Sequence, residues 1–140
     1  MVDQNCAYCV EGVLVAMFGI NICELETSKV YLFKEQSHPG RCIVAHKKHV
    51  GDMNELTAEE RAAYFEDVAR VARAIMAAFH PDKVNYGAYG DTGHHLHFHL
   101  CPKYKDEFEW GGVFLMNPDK KYLTDAEYAE MIEKIKEHLQ

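Results

Sequence analysis

Short apolar and polar stretches alternate over the first third of the chain. Residues 13–46 are rich in β-branched and aromatic residues and are interrupted by glycine and serine. Runs of this composition, bounded by turn-forming residues, are typical of strands. The pattern therefore predicts several short strands between residues 13 and 46.

A helical pattern begins after this region. Thr57 and Glu60 have the spacing of a capping box, and Pro81 ends the pattern. Between them, apolar residues recur at helical period: Tyr64, Phe65, Val68, Val71, Ala72, Ile75, Met76 and Phe79. This periodicity predicts an amphipathic helix whose apolar stripe packs on the core.

Strand and helix patterns alternate in the second half of the chain. Residues 83–90 predict a strand that runs into a glycine-bearing loop, residues 95–101 (HLHFHLC) predict another strand, and residues 109–118 fit either a strand or an irregular segment. Thr124 and Glu127 repeat the capping-box spacing and predict a C-terminal helix. The expected fold class is α+β, with a largely antiparallel sheet, a long central helix and a C-terminal helix.

Composition narrows the class of protein. The chain has 140 residues with 48% hydrophobic content, so residues 1–140 are expected to form one domain. A net charge of -7 argues against a general nucleic-acid binder. No apolar run reaches the ~18 residues that span a bilayer, and the start MVDQNCAYC lacks the pattern of a signal peptide. With five cysteines, an odd number, these features predict a cytoplasmic protein with reduced thiols and no membrane partner.

Histidine occupies every second position of residues 95–99. Residues two apart in a strand share a face and lie about 6.5–7 Å apart, so His95, His97 and His99 would form one row. The apolar residues between them would face the core, and His94 breaks the register. Such a row suits metal binding or nucleophilic catalysis. The preceding NYGAYGDTG (85–93) could cradle a phosphate through backbone N–H groups, which favours phosphate chemistry.

HLHFHLC resembles the signature of the histidine triad family, His-φ-His-φ-His-φ-φ, in which φ is apolar. The following PKY resembles the Pro-Arg that often comes next, with Lys103 in place of arginine. NYGAYGDTG is similar to the family's Asn-x-Gly phosphate loop, although many members carry Gln or Ser where DTG stands. CAYC, GRCIVAHKKHVGDMNELTAEE and the helix after it occur in the expected order. The resemblance covers roughly residues 6–118.

The family consists of nucleotide hydrolases and transferases that act on the α-phosphate. The resemblance therefore implies that His97 is the nucleophile and forms a nucleotidyl-histidine intermediate, which water or another acceptor then cleaves. His97 must be neutral at the attacking nitrogen. The resemblance implies that His99 contacts the phosphate and that His95 completes the triad. Candidate substrates are nucleoside phosphoramidates and dinucleoside polyphosphates.

The resemblance also implies residues that bind the substrate. Those expected at the phosphate are Asn85, Gly90, Asp91, Thr92 and Gly93. Asp91 is a negative charge near an anion site, and we expect its carboxylate to point away. Many members bind the ribose hydroxyls through an aspartate on an early strand, and Glu35 in LFKEQSHPG is the nearest candidate.

Cys6 and Cys9 form a lone Cys-x-x-Cys. By itself this spacing fits half a zinc site, a redox pair or two unrelated thiols. Some triad proteins, and the related galactose-1-phosphate uridylyltransferases, use two N-terminal cysteines with two histidines. Carried over, this implies a structural zinc held by Cys6, Cys9, His49 and His95, with His46 as the alternative to His49.

The remaining polar and thiol groups are expected to have no role in the site. Cys23, Cys42 and Cys101 are predicted to be small buried apolar residues, and His38, His46 and His80 to lie at the surface. The charged segment KYKDEFE (103–109) is predicted to be solvated.

The resemblance implies a homodimer in which the sheets of two subunits join. Two other functions remain open. One is a metal-centred hydrolase in which the histidine row itself holds a catalytic metal. The other is a nucleotide-binding regulatory protein without turnover.

Overall fold

The computed structural model describes residues 3–139, so residues 1, 2 and 140 of the predicted domain lie outside the described part. In chain order the elements are α1 (Ala7–Val10), α2 (Val13–Ala16), β1 (Gly19–Glu24), β2 (Ser28–Phe33), β3 (Cys42–His46), a 3-10 turn (Met53–Glu55), α3 (Ala58–Phe79), β4 (Lys83–Gly87), β5 (His97–Lys103) and α4 (Asp125–Glu137). Within these residues the strands form one sheet of order β1-β2-β3-β5-β4, and every neighbouring pair is antiparallel. The predicted fold class is confirmed.

Different elements cover the two faces of the sheet. Helices α3 and α4 cover one face, where Val44, Phe98 and Leu100 belong to the larger core. The short helices α1 and α2 contribute to a smaller apolar cluster on the other face. His97 is paired with Ala45 and His99 with Ile43, which belongs to that smaller cluster. Directly opposed residues share a face, so the histidines lie on the side of α1 and α2, as the alternation in HLHFHLC predicts.

The strands predicted between residues 13 and 46 are present as β1, β2 and β3, and the first of them begins at Gly19. Residues 13–16 form a turn of helix, which follows two residues of positive φ, Glu11 and Gly12. Strand β5 begins at His97 and not at His95, because the amide of His95 is bonded to the carbonyl of Gly93 in a tight turn. Residues 109–118 are irregular.

The long helix begins and ends where the sequence predicts. Its apolar stripe is narrower than predicted, because Phe65 is 41% exposed and Met76 is 47% exposed at the edges of the stripe. Helix α3 packs in the larger core against β3 and β5 and so supports the strand that carries the histidines.

No helix in the described part of the chain is long and apolar enough to cross a membrane.

Replacing Thr57 with alanine should lower the free energy of unfolding by about 1 kcal/mol. The Thr57 hydroxyl accepts a hydrogen bond from the amide of Glu60, and the Glu60 carboxylate accepts one from the amide of Thr57. Urea denaturation should detect the loss, and Thr57→Ser, which keeps the hydroxyl, should unfold like the wild type. Equal stabilities for the alanine and serine variants would show that this cap contributes nothing.

Candidate active site

The histidine face of the sheet opens into a cavity of about 910 Å³. Strands β3 and β5 form its floor, helix α1 and the loop before β5 form one side, and the irregular segment after residue 112 forms another. Its lining includes Tyr8, Ile43, Asp91, Thr92, Gly93, His95, His97, His99, Val113, Phe114, Met116 and Asn117. The cavity therefore brings all three histidines of the row together with part of the glycine-bearing loop.

His97 is held as a neutral imidazole. Its Nδ1 atom lies 2.7 Å from the carbonyl oxygen of His95, and a carbonyl can only accept, so Nδ1 carries the proton. The Nε2 atom keeps its lone pair and has no hydrogen-bond partner within residues 3–139. Burial lowers the pKa of His97, which keeps the ring uncharged near neutral pH. An unprotonated ring nitrogen beside an open cavity is the state that a nucleophilic imidazole requires.

His99 has the opposite tautomer. Its Nδ1 atom accepts a hydrogen bond of 3.0 Å from the guanidinium of Arg41. Because a guanidinium has no acceptor, the single proton of neutral His99 is on Nε2. Burial first, and then the positive charge of Arg41, lower the pKa of His99 to about 2. His99 is therefore a neutral hydrogen-bond donor at its Nε2 atom.

His95 differs from both of its neighbours in the row. Its Nε2 atom donates to the carbonyl oxygen of His46 at 2.6 Å, so the lone pair is on Nδ1. That atom lies 3.3 Å from Cys6 Sγ, 3.6 Å from Cys9 Sγ and 3.2 Å from His49 Nδ1. His95 thus directs an unprotonated nitrogen toward two thiols and a second imidazole.

Cys6, Cys9, His49 and His95 form a cluster whose four ligand atoms all lie within 4.8 Å of one another. Zinc bonds of 2.0–2.3 Å in a tetrahedron place neighbouring ligand atoms roughly 3.3–3.8 Å apart, and the distances around His95 Nδ1 are close to that range. The donor set and spacing fit a zinc ion with all positions filled by protein. Asp3 lies 3.8 Å from His49 Nε2, close to the ring nitrogen on the other side of His49 from the cluster.

The structure distinguishes His49 from its alternative. The Nδ1 atom of His49 is 3.2 Å from Cys9 Sγ. His46 is buried, its ring packs edge-on against Tyr64, and its Nδ1 atom accepts a hydrogen bond from the amide of Lys48. His49 therefore belongs to the cluster, and His46 does not.

The cluster and the triad are joined physically. The carbonyl of His95 fixes the tautomer of His97, while the side chain of His95 belongs to the cluster. Tyr8, between the two cysteines in the chain, packs its ring 5.4 Å from His95 and 5.0 Å from His97. Displacement of the N-terminal segment would therefore change the packing around the His97 ring.

The structure gathers part of the expected binding loop at the cavity. Asp91, Thr92 and Gly93 line it, and Gly93 lies beside the His97 ring. Asn85 and Gly90 are outside the lining: Asn85 is half-buried in β4 opposite Cys101, and Gly90 lies beside the carbonyl of Gly51. Of the predicted phosphate-binding residues, the three nearest to the histidine row line the cavity, and the two nearer to β4 do not.

Glu35, for which a contact with ribose is predicted, binds other parts of the chain. Its carboxylate accepts hydrogen bonds from the amide and hydroxyl of Ser37 and from the amides of Lys120 and Lys121. The side chain is buried, and those hydrogen bonds lower its pKa although burial alone would raise it. Glu35 anchors the segment before α4 and lies outside the cavity.

Several residues predicted at the surface are buried. His38 is paired with Glu109 at 2.6 Å, and Lys103 donates to the carbonyls of Glu109 and Gly112, so part of the charged segment 103–109 is internal. His80 is exposed, and of the three cysteines predicted to be buried, Cys42 and Cys101 are buried while Cys23 is half-buried. Burial of polar groups depends on distant partners, which no local pattern reveals.

Sequence reasoning missed Arg41 and Phe114 altogether. Arg41 is fully buried and reaches His99, and Phe114 forms part of the cavity wall. An arginine directly before the apolar run CIVA of β3 is the one local signal that could have drawn attention to Arg41. For Phe114, in an irregular segment, the chain offers no such signal.

The fold is α+β with an antiparallel sheet, and one strand with its preceding turn presents three histidines to a cavity. This combination defines a histidine triad protein. The family model described as "HIT domain" matches residues 21–106, more than half of the chain. The chain belongs to the HIT domain family. Members of this family are generally nucleotide-binding proteins, hydrolases or transferases.

Similar proteins span nearly the whole chain. "Protein hit" of Bacillus subtilis is 28% identical in an alignment of 121 residues that covers 83% of this chain and 83% of that protein. A histidine triad protein of Sinorhizobium meliloti has a crystal structure with a TM-score of 0.82 at 22% identity, covering 89% of this chain and 92% of that one. A Zn-bound histidine triad family protein of Mycobacterium smegmatis has a TM-score of 0.69 at 22% identity, covering 97% and 94%. At these identities the two structures show that the fold is shared.

Proposed function

We propose that the protein is a nucleotidyl hydrolase or transferase that acts at the α-phosphate of nucleoside phosphoramidates or dinucleoside polyphosphates, with His97 as the nucleophile. The observation that carries the proposal is the hydrogen bond from His97 Nδ1 to the His95 carbonyl. It leaves a neutral ring with its lone pair on Nε2 in a cavity large enough for a nucleotide.

The proposed reaction has two displacements. The His97 Nε2 lone pair forms a bond to the α-phosphorus, and the bond from phosphorus to the leaving group breaks; the leaving group keeps the electron pair and, when it is an amine, takes up a proton from solvent. The oxygen of water or of another acceptor then bonds to phosphorus and gives up its proton to solvent, while the phosphorus–nitrogen bond breaks with its electron pair returning to Nε2, which releases the nucleotide and restores His97. His99, a donor at Nε2, and the backbone around Thr92 and Gly93 would stabilise the phosphoryl oxygens.

We propose that Cys6, Cys9, His49 and His95 hold a structural zinc. The spacing of their ligand atoms supports this, as does the Zn-bound relative of similar fold. Zinc would pin the N-terminal segment to the turn before β5 and so keep the His95 carbonyl in place for His97. A catalytic metal held by the histidine row is less favoured, because only His97 offers a free ring nitrogen to the cavity: the Nε2 atom of His99 carries its proton, and the Nδ1 atom of His95 lies against Cys6, Cys9 and His49.

A homodimer with joined sheets, located in the cytoplasm and formed by a single domain per subunit, is part of the same proposal. The homodimer rests on the resemblance of the sequence to the family, the cytoplasmic location on the odd cysteine count, and the single domain on a length of 140 residues with 48% hydrophobic content. Sedimentation of the purified protein at micromolar concentration should give twice the mass of the 16.1 kDa chain.

The purified wild type should release AMP from adenosine 5′-phosphoramidate, from diadenosine tetraphosphate, or from both. Chromatographic measurement of AMP tests this, and the ratio of the two rates begins to define the leaving group. Brief exposure to EDTA should leave the rate nearly unchanged, because a structural site with four protein ligands exchanges slowly. Immediate loss of activity in EDTA would indicate the metal-centred hydrolase, and AMP binding without turnover of either compound would indicate the regulatory protein.

A further inference from the structure

Arg41 is a buried cation without a carboxylate partner. It lies directly before β3, and its side chain has no exposed surface. Across residues 3–139, no carboxylate oxygen forms an ion pair with its guanidinium. Burying an unpaired charge costs free energy, and buried charged groups of this kind are common at functional sites. The position of Arg41 next to the cavity indicates a role in the site.

The guanidinium is fixed by neutral groups on all sides. It donates to the carbonyl of Leu115 at 3.0 Å, to the carbonyl of Met116 at 2.9 Å and to His99 Nδ1 at 3.0 Å. The rings of Phe33 and Phe114 lie on it, with centroids 4.2 and 4.8 Å from the guanidinium carbon. Its Nε atom has no partner. The charge is therefore not neutralised by any of these contacts.

The cavity beside Arg41 lacks positive side chains of its own. Among the described residues that line it there is no lysine or arginine, and two carboxylates, Asp3 and Asp91, are present at its rim. An anionic phosphoryl group entering this cavity would meet neutral histidines and backbone amides at the surface. Arg41 is positioned one side chain behind that surface, in contact with His99.

We propose that Arg41 is a positioning residue for the phosphoryl group. Its hydrogen bond fixes the proton of His99 on Nε2, so that His99 can only donate toward the cavity. The unpaired charge of Arg41 supplies the positive potential that the cavity lining lacks. The proposal rests on the proposed nucleotidyl transfer and assigns that reaction a residue beyond the triad. Without Arg41 the His99 ring could adopt either tautomer, and one of the two would present a lone pair to a phosphoryl oxygen.

The tautomer of His99 can be measured in the wild type without any substitution. In a protein labelled with ¹⁵N-histidine, the His99 signals are assigned by their absence from the His99→Asn spectrum. We expect an unprotonated Nδ1 and a protonated Nε2. A proton on Nδ1 would overturn the proposal, because the Arg41 hydrogen bond could not then exist.

Replacing Arg41 with methionine should lower kcat/KM for AMP release by about 10- to 100-fold, less than the loss of a direct oxyanion donor because Arg41 acts through His99. The zinc content should stay unchanged, since Arg41 contacts none of the four cluster residues. Arg41→Lys should recover part of the rate, because an ammonium keeps the charge and can donate to His99. Arg73→Met, a change of the same kind at an exposed position, should match the wild type.

The wall of the cavity supplies a second control. Arg41 also holds the carbonyls of Leu115 and Met116, and Glu109 holds the amide of Leu115. Glu109→Gln therefore disturbs the same segment without touching His99. It should cost less than Arg41→Met and leave the His99 tautomer unchanged. The proposal would be overturned if both variants lost kcat/KM equally and the His99 spectrum were unaltered in Arg41→Met. Arg41 would then only stabilise the segment that forms the cavity wall.

The two proposals fail in different ways. A wild type that turns over no nucleotide would overturn the proposed function, while an Nε2-protonated His99 would still support the arrangement with Arg41. An active wild type whose Arg41→Met variant keeps full kcat/KM would overturn the role of Arg41 and leave the nucleophile untouched. If Arg41→Met does not fold, the wild-type tautomer and the Arg41→Lys rate decide between these outcomes.

Discussion

Replacing His97 with alanine should lower the rate of AMP release from adenosine 5′-phosphoramidate by at least about 10⁴-fold, the scale seen when a covalent nucleophile is removed. Alanine offers no atom that can bond to phosphorus, and His99 cannot take over, because Arg41 occupies its Nδ1 and the proton is on its Nε2. The fold should be kept, since the ring of His97 faces the cavity and not the larger core.

The matched control is His80→Asn. His80 is exposed at the end of α3 in a left-handed conformation that asparagine accepts. The His80→Asn variant should retain the wild-type rate. This result would show that the loss of rate in His97→Ala does not follow from removing any one imidazole of the protein. A His97→Ala variant that is folded, contains zinc and keeps more than about a tenth of the rate would contradict the assignment of the nucleophile.

If the proposed zinc is bound, replacing Cys9 with serine should remove it and lower the free energy of unfolding by several kcal/mol. Zinc binding contributes about 10–16 kcal/mol in small zinc-dependent peptides, and here the sheet and its two apolar clusters would keep part of the fold without it. Cys9 lies within 3.6 Å of both histidine nitrogens of the cluster, so no other residue can replace it easily. Metal analysis by mass spectrometry and thermal unfolding measure both effects.

Cys23→Ser is the control for this change. Cys23 is a half-buried thiol in β1 outside the cluster, and its substitution should leave one zinc per chain. Activity should fall together with zinc in Cys9→Ser, because the cluster holds the His95 residue whose carbonyl orients His97. Wild-type protein purified under reducing conditions without zinc would refute the metal proposal and leave the triad proposal standing.

The fold could be predicted from the sequence where local signals and burial agree. Both capping boxes form as predicted, at Thr57 and at Thr124, because a cap is decided by residues three apart. The alternation in β5 held because one strand face packs on a helix. The range predicted for the first strands, residues 13–46, did not fix where they begin: residues 13–16, which include two valines, form a helical turn, and β1 begins at Gly19. The strand preference of such residues depends on their tertiary context.

The candidate site could be predicted in its residue types but not in its supporting contacts. The resemblance pointed to the four residues that the structure brings together around His95 Nδ1. It also pointed to Glu35 for a ribose contact, and Glu35 instead holds the backbone of Lys120 and Lys121. The hydrogen bond from Arg41 to His99 joins residues 58 positions apart, and only the antiparallel pairing of β3 with β5 brings them together.

The central claim, a covalent nucleotidyl intermediate on His97, is tested most directly by trapping it. Wild-type protein mixed with adenosine 5′-phosphoramidate is denatured within milliseconds at alkaline pH, which preserves phosphorus–nitrogen bonds, and its mass and proteolytic fragments are measured. The account predicts one adenylyl group per chain on the peptide that contains residues 94–100, with the modification on His97. Rapid turnover with no adduct on any histidine, or an adduct on His99 in place of His97, would contradict it.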